Sequence, residues 1–346
     1  MFFSLFRMKS LLFWLFICLF FVSLWQTNRR HLKLCSIRKA LLGLLLLASL
    51  PSWAEQFVFT TSWTAQAQFA GYYIAKEKGF YRAEGLDVVI QHPSLTTSLL
   101  QRLQDEKSDG VMLTLMTAID LTSQGIPMVN IFQESMNNSN LLISRWNNDP
   151  LKLRGKKVAV FNTDLNYIVF ILDRKEKMNY EWVRFTSQVN LFLSGAVDAM
   201  IALSYNEYYQ LLQSGFKLTR ENVYRFSDHG YNIQEHGVYV TPAYYRTHQE
   251  QCKKFARASR KGWEWAAQHP DEALDIVMKY VRKHSAPTNR TMQRLMLEEV
   301  LRLQIDRDSK KREFKLRRDM VEKASRLMRE SGIISRQVTY EELMGR

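Results

Sequence analysis

The residues best suited to hold a solute stand at strand-to-helix turns. Trp63, Gln66, Gln68 and Phe69 follow an apolar β-like run at 57–61 and lead into a helix-compatible segment at 67–78. At such a turn backbone N–H groups lack helical partners, and an aromatic plane can stack on a flat molecule. Trp63 suits stacking and core packing equally, whereas Phe69 favours packing under the helix. Thr114 and Thr117 open another helix, where hydroxyls and free N–H groups can hold a polar atom or simply cap the helix. Asn162, Thr163 and Asp164 occupy the same kind of place after a later strand. Tyr205, Asn206 and Glu207 end the strand 197–203, and Glu235 precedes a further strand. Either acid can pair an amino or cationic group, although an acid beside a turn is more often only solvated.

Other chemistry finds less support. The seven histidines include no pair at i, i+3 or i, i+4 spacing, so no metal site is expected and they read as loop residues. There is no phosphate loop, no G-x-G-x-x-G and no G-x-S-x-G elbow. The basic run at 310–318 interleaves an acid with apolar residues at helical period, which favours a solvated helix face over nucleic-acid binding. The expectation is a cleft that holds a small molecule without cofactor, metal or nucleic acid.

The elements that must position these residues alternate regularly. Strand 57–61, helix 67–78 and strand 86–90 form a βαβ unit, punctuated by Gly79 and Gly85 where positive φ is wanted. Helix 95–104, strand 109–113, helix 117–124 and strand 128–132 continue it, which predicts a parallel α/β sheet. Polar clusters at 137–140 and 147–150 mark a crossing into a second lobe. There strands 158–161, 182–185 and 197–203 alternate with helices near 167–173, 188–193 and 206–213. Strand 236–241 returns to the first lobe, and 244–269, 271–282, 292–303 and 310–330 read as helices.

At 346 residues the chain can build two cores. Apolar runs at 11–25 and 40–50 flank a basic patch, and the second run reads as a secretory signal with cleavage after Ala54. Neither run reaches the roughly 18–20 residues of a spanning helix. The first run reads as an anchor or as sequence upstream of the true start, the second being favoured. The leader carries seven Lys/Arg and no acid, so its removal takes the net charge from +14 to +7. That balance is weak evidence for a polyanionic partner. Of the three cysteines only Cys252 lies beyond the leader, which leaves no internal disulfide.

The stretch QFAGYYIAKEKGFYRAEGLDV at 68–88 resembles the family of periplasmic substrate-binding proteins that includes SsuA and is related to the yeast thiamine pyrimidine synthases. The resemblance continues in 153–158, in FLSGAVDA at 192–199, and in Gly262-Trp263 with HPDEA at 269–273. It implies a two-lobed periplasmic binding protein type II fold with a hinge, a ligand cleft between the lobes and a helical C-terminal segment. Residues 1–54 are then the leader, 55–138 the first part of lobe 1, 139–235 lobe 2, and 236–346 the return and C-terminal helices. It also implies a periplasmic monomer serving an ABC permease and ATPase, bringing a solute such as a pyrimidine precursor of thiamine. The alternatives are a thiamine pyrimidine synthase-like enzyme and a ligand sensor with a membrane partner. For the enzyme, the resemblance places Leu113 at a lysine position, Thr117 at a histidine position and 231–235 at a cysteine-rich run. A leucine cannot form an imine with pyridoxal phosphate, and that tract offers no thiol to iron. The expected ligand residues are Trp63, Gln66, Phe69, Thr114, Asn162, Tyr205, Asn206 and Glu235, with no catalytic residue.

Overall fold

The structure is a computed structural model that describes residues 54–93, 98–146, 149–162, 166–186 and 189–346. Apart from Ala54, the expected leader lies outside the described residues, as do Thr163 and Asp164. Five strands come first: β1 (Glu55–Thr60), β2 (Leu86–Gln91), β3 (Gly110–Thr114), β4 (Val129–Gln133) and β5 (Asn140–Ser144). Five more follow: β6 (Lys157–Phe161), β7 (Glu181–Phe185), β8 (Ala199–Leu203), β9 (Val223–Arg225) and β10 (His236–Val240). The longer helices of the N-terminal half and second lobe are α1 (Ala70–Glu77), α2 (Leu115–Ser123), α3 (Tyr167–Glu176) and α4 (Glu207–Gln213). Toward the C-terminus lie α5 (Gln249–Gln268), α6 (Pro270–Lys283), α7 (Arg290–Leu303) and α8 (Arg318–Glu330).

The strands form two five-stranded sheets, ordered β2-β1-β3-β10-β4 and β7-β6-β8-β5-β9. The result is a two-lobed α/β molecule with a helical C-terminal region. The parallel sheet expected of the first lobe is corrected. β1 pairs β2 and β3 in parallel, but the returning β10 lies antiparallel between β3 and β4. The β-α-β rhythm fixes the direction of β1 to β4 and says nothing about a strand that arrives a hundred residues later. Gly237 makes that insertion fit, since a Cβ there would stand 2.6 Å from Asn130 Nδ2 and 2.7 Å from Gln133 Oε1.

α5 packs over the first lobe with a close backbone approach to α1. A Cβ on Gly262 would fall 2.0 Å from the Gly71 carbonyl oxygen, and one on Gly71 would fall 2.3 Å from the Trp263 ring. Two glycines thus let α1 and α5 touch backbone to backbone. Around this contact Phe57, Tyr72 and Tyr81 pack on Phe255, with ring centroids 4.6, 6.1 and 5.4 Å away.

Two further corrections concern local structure. β5 and β9 are strands where the sequence pattern predicts none. Residues 310–317 are not helical, and α8 starts only at Arg318. Phe314 instead adopts φ 52° and stacks on Phe132 at 5.3 Å, so a tertiary contact overrides the helical periodicity of that stretch.

Candidate functional site

Two crossings, at 134–139 and 226–235, join the sheets, and the side chains that meet there are mostly polar and buried. Glu235 stands just before β10 and is buried. Its carboxylate accepts the Ser139 N–H at 2.9 Å and an amide hydrogen of Asn140. One crossing is thereby fastened to the other. Burial pushes the Glu235 carboxyl up to about 7, against the pull of Ser139 and Asn140. Glu207, in the first turn of α4, accepts the Leu203 N–H at 2.9 Å and an Asn206 amide hydrogen at 2.7 Å; burial pushes it up to about 7 as well. Glu134, directly after β4, is pushed up to about 8 by burial, offset in part by the Tyr72 hydroxyl beside it.

Tyr205 ties these acids into one electrostatic unit. It is buried, and burial raises its hydroxyl well above the usual tyrosine range, with added repulsion from Glu235, Glu207 and Glu134. Among the described residues none of the three acids forms an ion pair. His236 does not supply the missing charge, since burial pushes its imidazole down to about 4. Carboxyls so desolvated favour either a proton or a partner that donates hydrogen bonds.

A narrow pocket of about 20 Å³, room in this conformation for one water-sized group, opens beside Glu235, lined by Thr114, Met116, Asn138, Asn140 and Tyr167 among others. It lies between the carboxyl end of β3, the crossings and α3. The Asn140 Oδ1 there is buried without a hydrogen-bond partner. A solute that presents donors can therefore satisfy both Glu235 and Asn140 in one place.

The structure sorts the eight expected residues into groups. Thr114 and Glu235 line this pocket, and Tyr205 and Asn206 stand in the neighbouring acidic unit. Thr114 also caps α2, its Oγ1 accepting the Thr117 N–H at 3.1 Å. Asn162 is exposed beyond β6, where its N–H donates to the Phe185 carbonyl at 2.7 Å.

Trp63, Gln66 and Phe69 gather elsewhere. Trp63 is half-buried, its carbonyl accepting Thr61 Oγ1 at 2.8 Å with His92 Nδ1 at 3.0 Å. Gln66 Nε2 donates to Gln68 Oε1 at 2.7 Å. The Ala67 N–H, at the turn expected to have open donors, is taken by Gln293 Oε1 of α7 at 2.6 Å. Phe69 has no exposed surface and packs on Tyr73 and His92, so in this conformation it offers a solute nothing. Packing is the role it plays here. Leu113 and Thr117, the two positions matched to synthase lysine and histidine, are a buried aliphatic side chain and a first-turn hydroxyl.

Sequence reasoning missed Glu134. The signal was only an acid placed directly after an apolar strand, which is indistinguishable from a solvated strand end until the folded chain buries it.

Comparison with known proteins gives concordant matches. The profile described as NMT1/THI5 like matches residues 66–273. The riboflavin-binding protein RibY of Chloroflexus aurantiacus is 26% identical over 264 residues, 71% of this chain and 72% of that protein. The formylaminopyrimidine-binding protein of Halalkalibacterium halodurans is 26% identical over 231 residues, 62% of this chain and 68% of that protein. The periplasmic aliphatic sulphonate binding protein SsuA from Escherichia coli superposes with a TM-score of 0.59 at 13% identity, covering 84% of this chain and 91% of that one. At that identity the likeness shows a shared fold.

Proposed function

Because the chain belongs to the NMT1/THI5-like family, we propose that it is the solute-binding component of an ABC importer, working in the periplasm and delivering a small heteroaromatic solute to a permease and its ATPase. The observation that carries this reading is the pocket of Thr114, Asn138, Asn140 and Glu235 set between two sheets joined by two crossings. That layout suits hinge closure on a ligand. A pyrimidine precursor of thiamine is the leading solute, because its amino group can donate to Glu235 and to Asn140 Oδ1. The printed names of the relatives, one for a formylaminopyrimidine and one for riboflavin, support a flat heteroaromatic class.

In this reading residues 55–138 and 236–346 form the first lobe and 139–235 the second, and the chain acts as a monomer. Tyr205, Asn206 and Glu207 back the pocket from the second lobe. Trp63, Gln66 and Phe69 form one wall and Asn162 another, each reached only on a lobe movement.

The full-length chain is screened by thermal shift and calorimetry against pyrimidines, flavins, sulfonates and amino acids. Reversible stabilisation without turnover is expected for one class. Product formation from pyridoxal phosphate overturns the reading. A Trp63→Ala variant that binds as tightly as the parent removes Trp63 from the site.

A further inference from the structure

A second cavity, of about 210 Å³, abuts the same crossing, with Asn137, Asn138 and Ser139 in its lining. Its chemistry is opposite to that of the acidic pocket. Arg225 reaches it from β9, Arg302 from the last turn of α7, and Arg307 and Lys310 from the loop that follows. The cavity continues into a larger neighbouring space, of about 330 Å³, that shares Arg225, Arg302 and Arg307 and adds Tyr208, Asp228 and Glu299.

Two of the four cations are already matched. Arg302 holds Glu299 with contacts of 2.7 and 2.6 Å, and Arg307 pairs with Asp228 at 3.1 Å while donating to the Ser227 carbonyl. Asp306, the remaining acid in the lining, accepts Arg317 Nη1 at 2.7 Å. Arg225 and Lys310 form no ion pair among the described residues. The Arg225 guanidinium lies over the Tyr208 ring at 5.3 Å, which fixes its plane while leaving its edge N–H groups open to an acceptor. Lys310 lines the cavity from the loop after α7 at φ 58°, an uncommon conformation for a non-glycine residue.

The geometry points to an anion site: the cavity binds a small dianion through Arg225 and Lys310, with phosphate as the simplest member. Two cations without an ion pair in the lining of one concavity attract negative charge, Arg225 being partly offset by the nearby Asp228 carboxylate, and the pairs Arg302–Glu299 and Arg307–Asp228 hold the neighbouring lining in place. The site uses none of the carboxyls of the acidic pocket and does not depend on the reading given to that pocket.

The test is calorimetry on the full chain with inorganic phosphate and with glycerol phosphate, against sodium chloride at matched ionic strength. Saturable binding of either is expected, phosphate indicating a free oxyanion and glycerol phosphate alone indicating an ester. Arg225→Gln should weaken it at least tenfold and Lys310→Gln severalfold, while Lys253→Gln, an exposed cation of α5 outside the lining, leaves it unchanged. The melting temperature without phosphate reports whether each variant is folded, and Lys310→Gln carries the test if Arg225→Gln is not. No saturable binding of either probe, or binding indifferent to both substitutions, overturns the site. Binding weakened equally by Lys253→Gln would show a general effect of net charge and overturn it equally.

Discussion

Replacing Glu235 by glutamine removes one buried ionisable group at nearly constant shape. Its carboxyl is raised from 4.5 to about 7, chiefly by burial. A raised carboxyl keeps its proton in the folded chain after the unfolded chain has lost it, so the folded chain binds more protons between pH 4.5 and 7. Stability from this group is fully present below pH 4.5 and is lost as pH rises through about 7. At about 1.4 kcal/mol per pH unit the loss by pH 8 is about 3 kcal/mol. The glutamine oxygen can still accept the Ser139 N–H, but its amide hydrogens then face the Asn140 amide. Asn140 can turn over, because its Oδ1 has no partner. That rearrangement costs about 1 kcal/mol, the worth of one imperfect hydrogen bond. Glu235→Gln should therefore be about 2 kcal/mol more stable than the parent at pH 8, and about as stable as the parent at pH 5, where the loss and the cost of the rearrangement nearly cancel. Urea unfolding of both proteins at the two pH values, with unchanged m, measures the difference. An equal parent–variant difference at pH 5 and pH 8 would refute the claim that burial holds this carboxyl up. Glu207 and Glu134 remain in the variant, so it too should lose stability as pH rises, less steeply than the parent.

Other substitutions test the packing that frames the site. Gly262→Ala should lose about 3 kcal/mol or more, because the new methyl group would sit 2.0 Å from the Gly71 carbonyl oxygen. An isolated helix would gain from the same change, so an unshifted thermal midpoint would mean that α1 and α5 do not touch as described. Gln293→Leu strips the Ala67 N–H of its acceptor and the Thr288 hydroxyl of a donor. It should cost about 1–3 kcal/mol in urea unfolding, and a neutral result would show that water replaces the amide.

The parts of the fold that sequence disclosed are those where local pattern and final environment agree. β1, α1 and β2 carry apolar residues at the proper period, with Gly79 and Gly85 at φ 75° and 78° where the chain turns. Glu235 and Thr114 could be singled out because an acid and a hydroxyl stood at strand ends, and the structure places both beside one pocket. β5 was hidden because Asn140–Ser144 starts inside an asparagine-rich tract, which reads as a loop although Leu141, Leu142 and Ile143 are all buried. β9 is three residues at a sheet edge, too short to show a period. The antiparallel place of β10, the contact of Gln293 with the first turn, and the burial of Glu134 arise from segments a hundred or more residues apart. No local pattern records such meetings.

The position of β10 also sets an order of assembly. β4 has no other neighbour in the first sheet, so until residues 236–240 exist that sheet ends at β3 with an open edge. The second sheet needs only residues 140–225 and closes before the chain returns. Contacts of such long sequence separation form slowly, and exposed strand edges invite mispairing in the interval. We expect the second lobe to fold first, with Leu142 and Ile201 protected in pulsed hydrogen exchange before Val111 and Met112. Simultaneous protection of all four would mean that the two sheets form as one unit. A substitution that weakens β10, such as any side chain at Gly237, would then act first on yield from refolding rather than on the binding pocket.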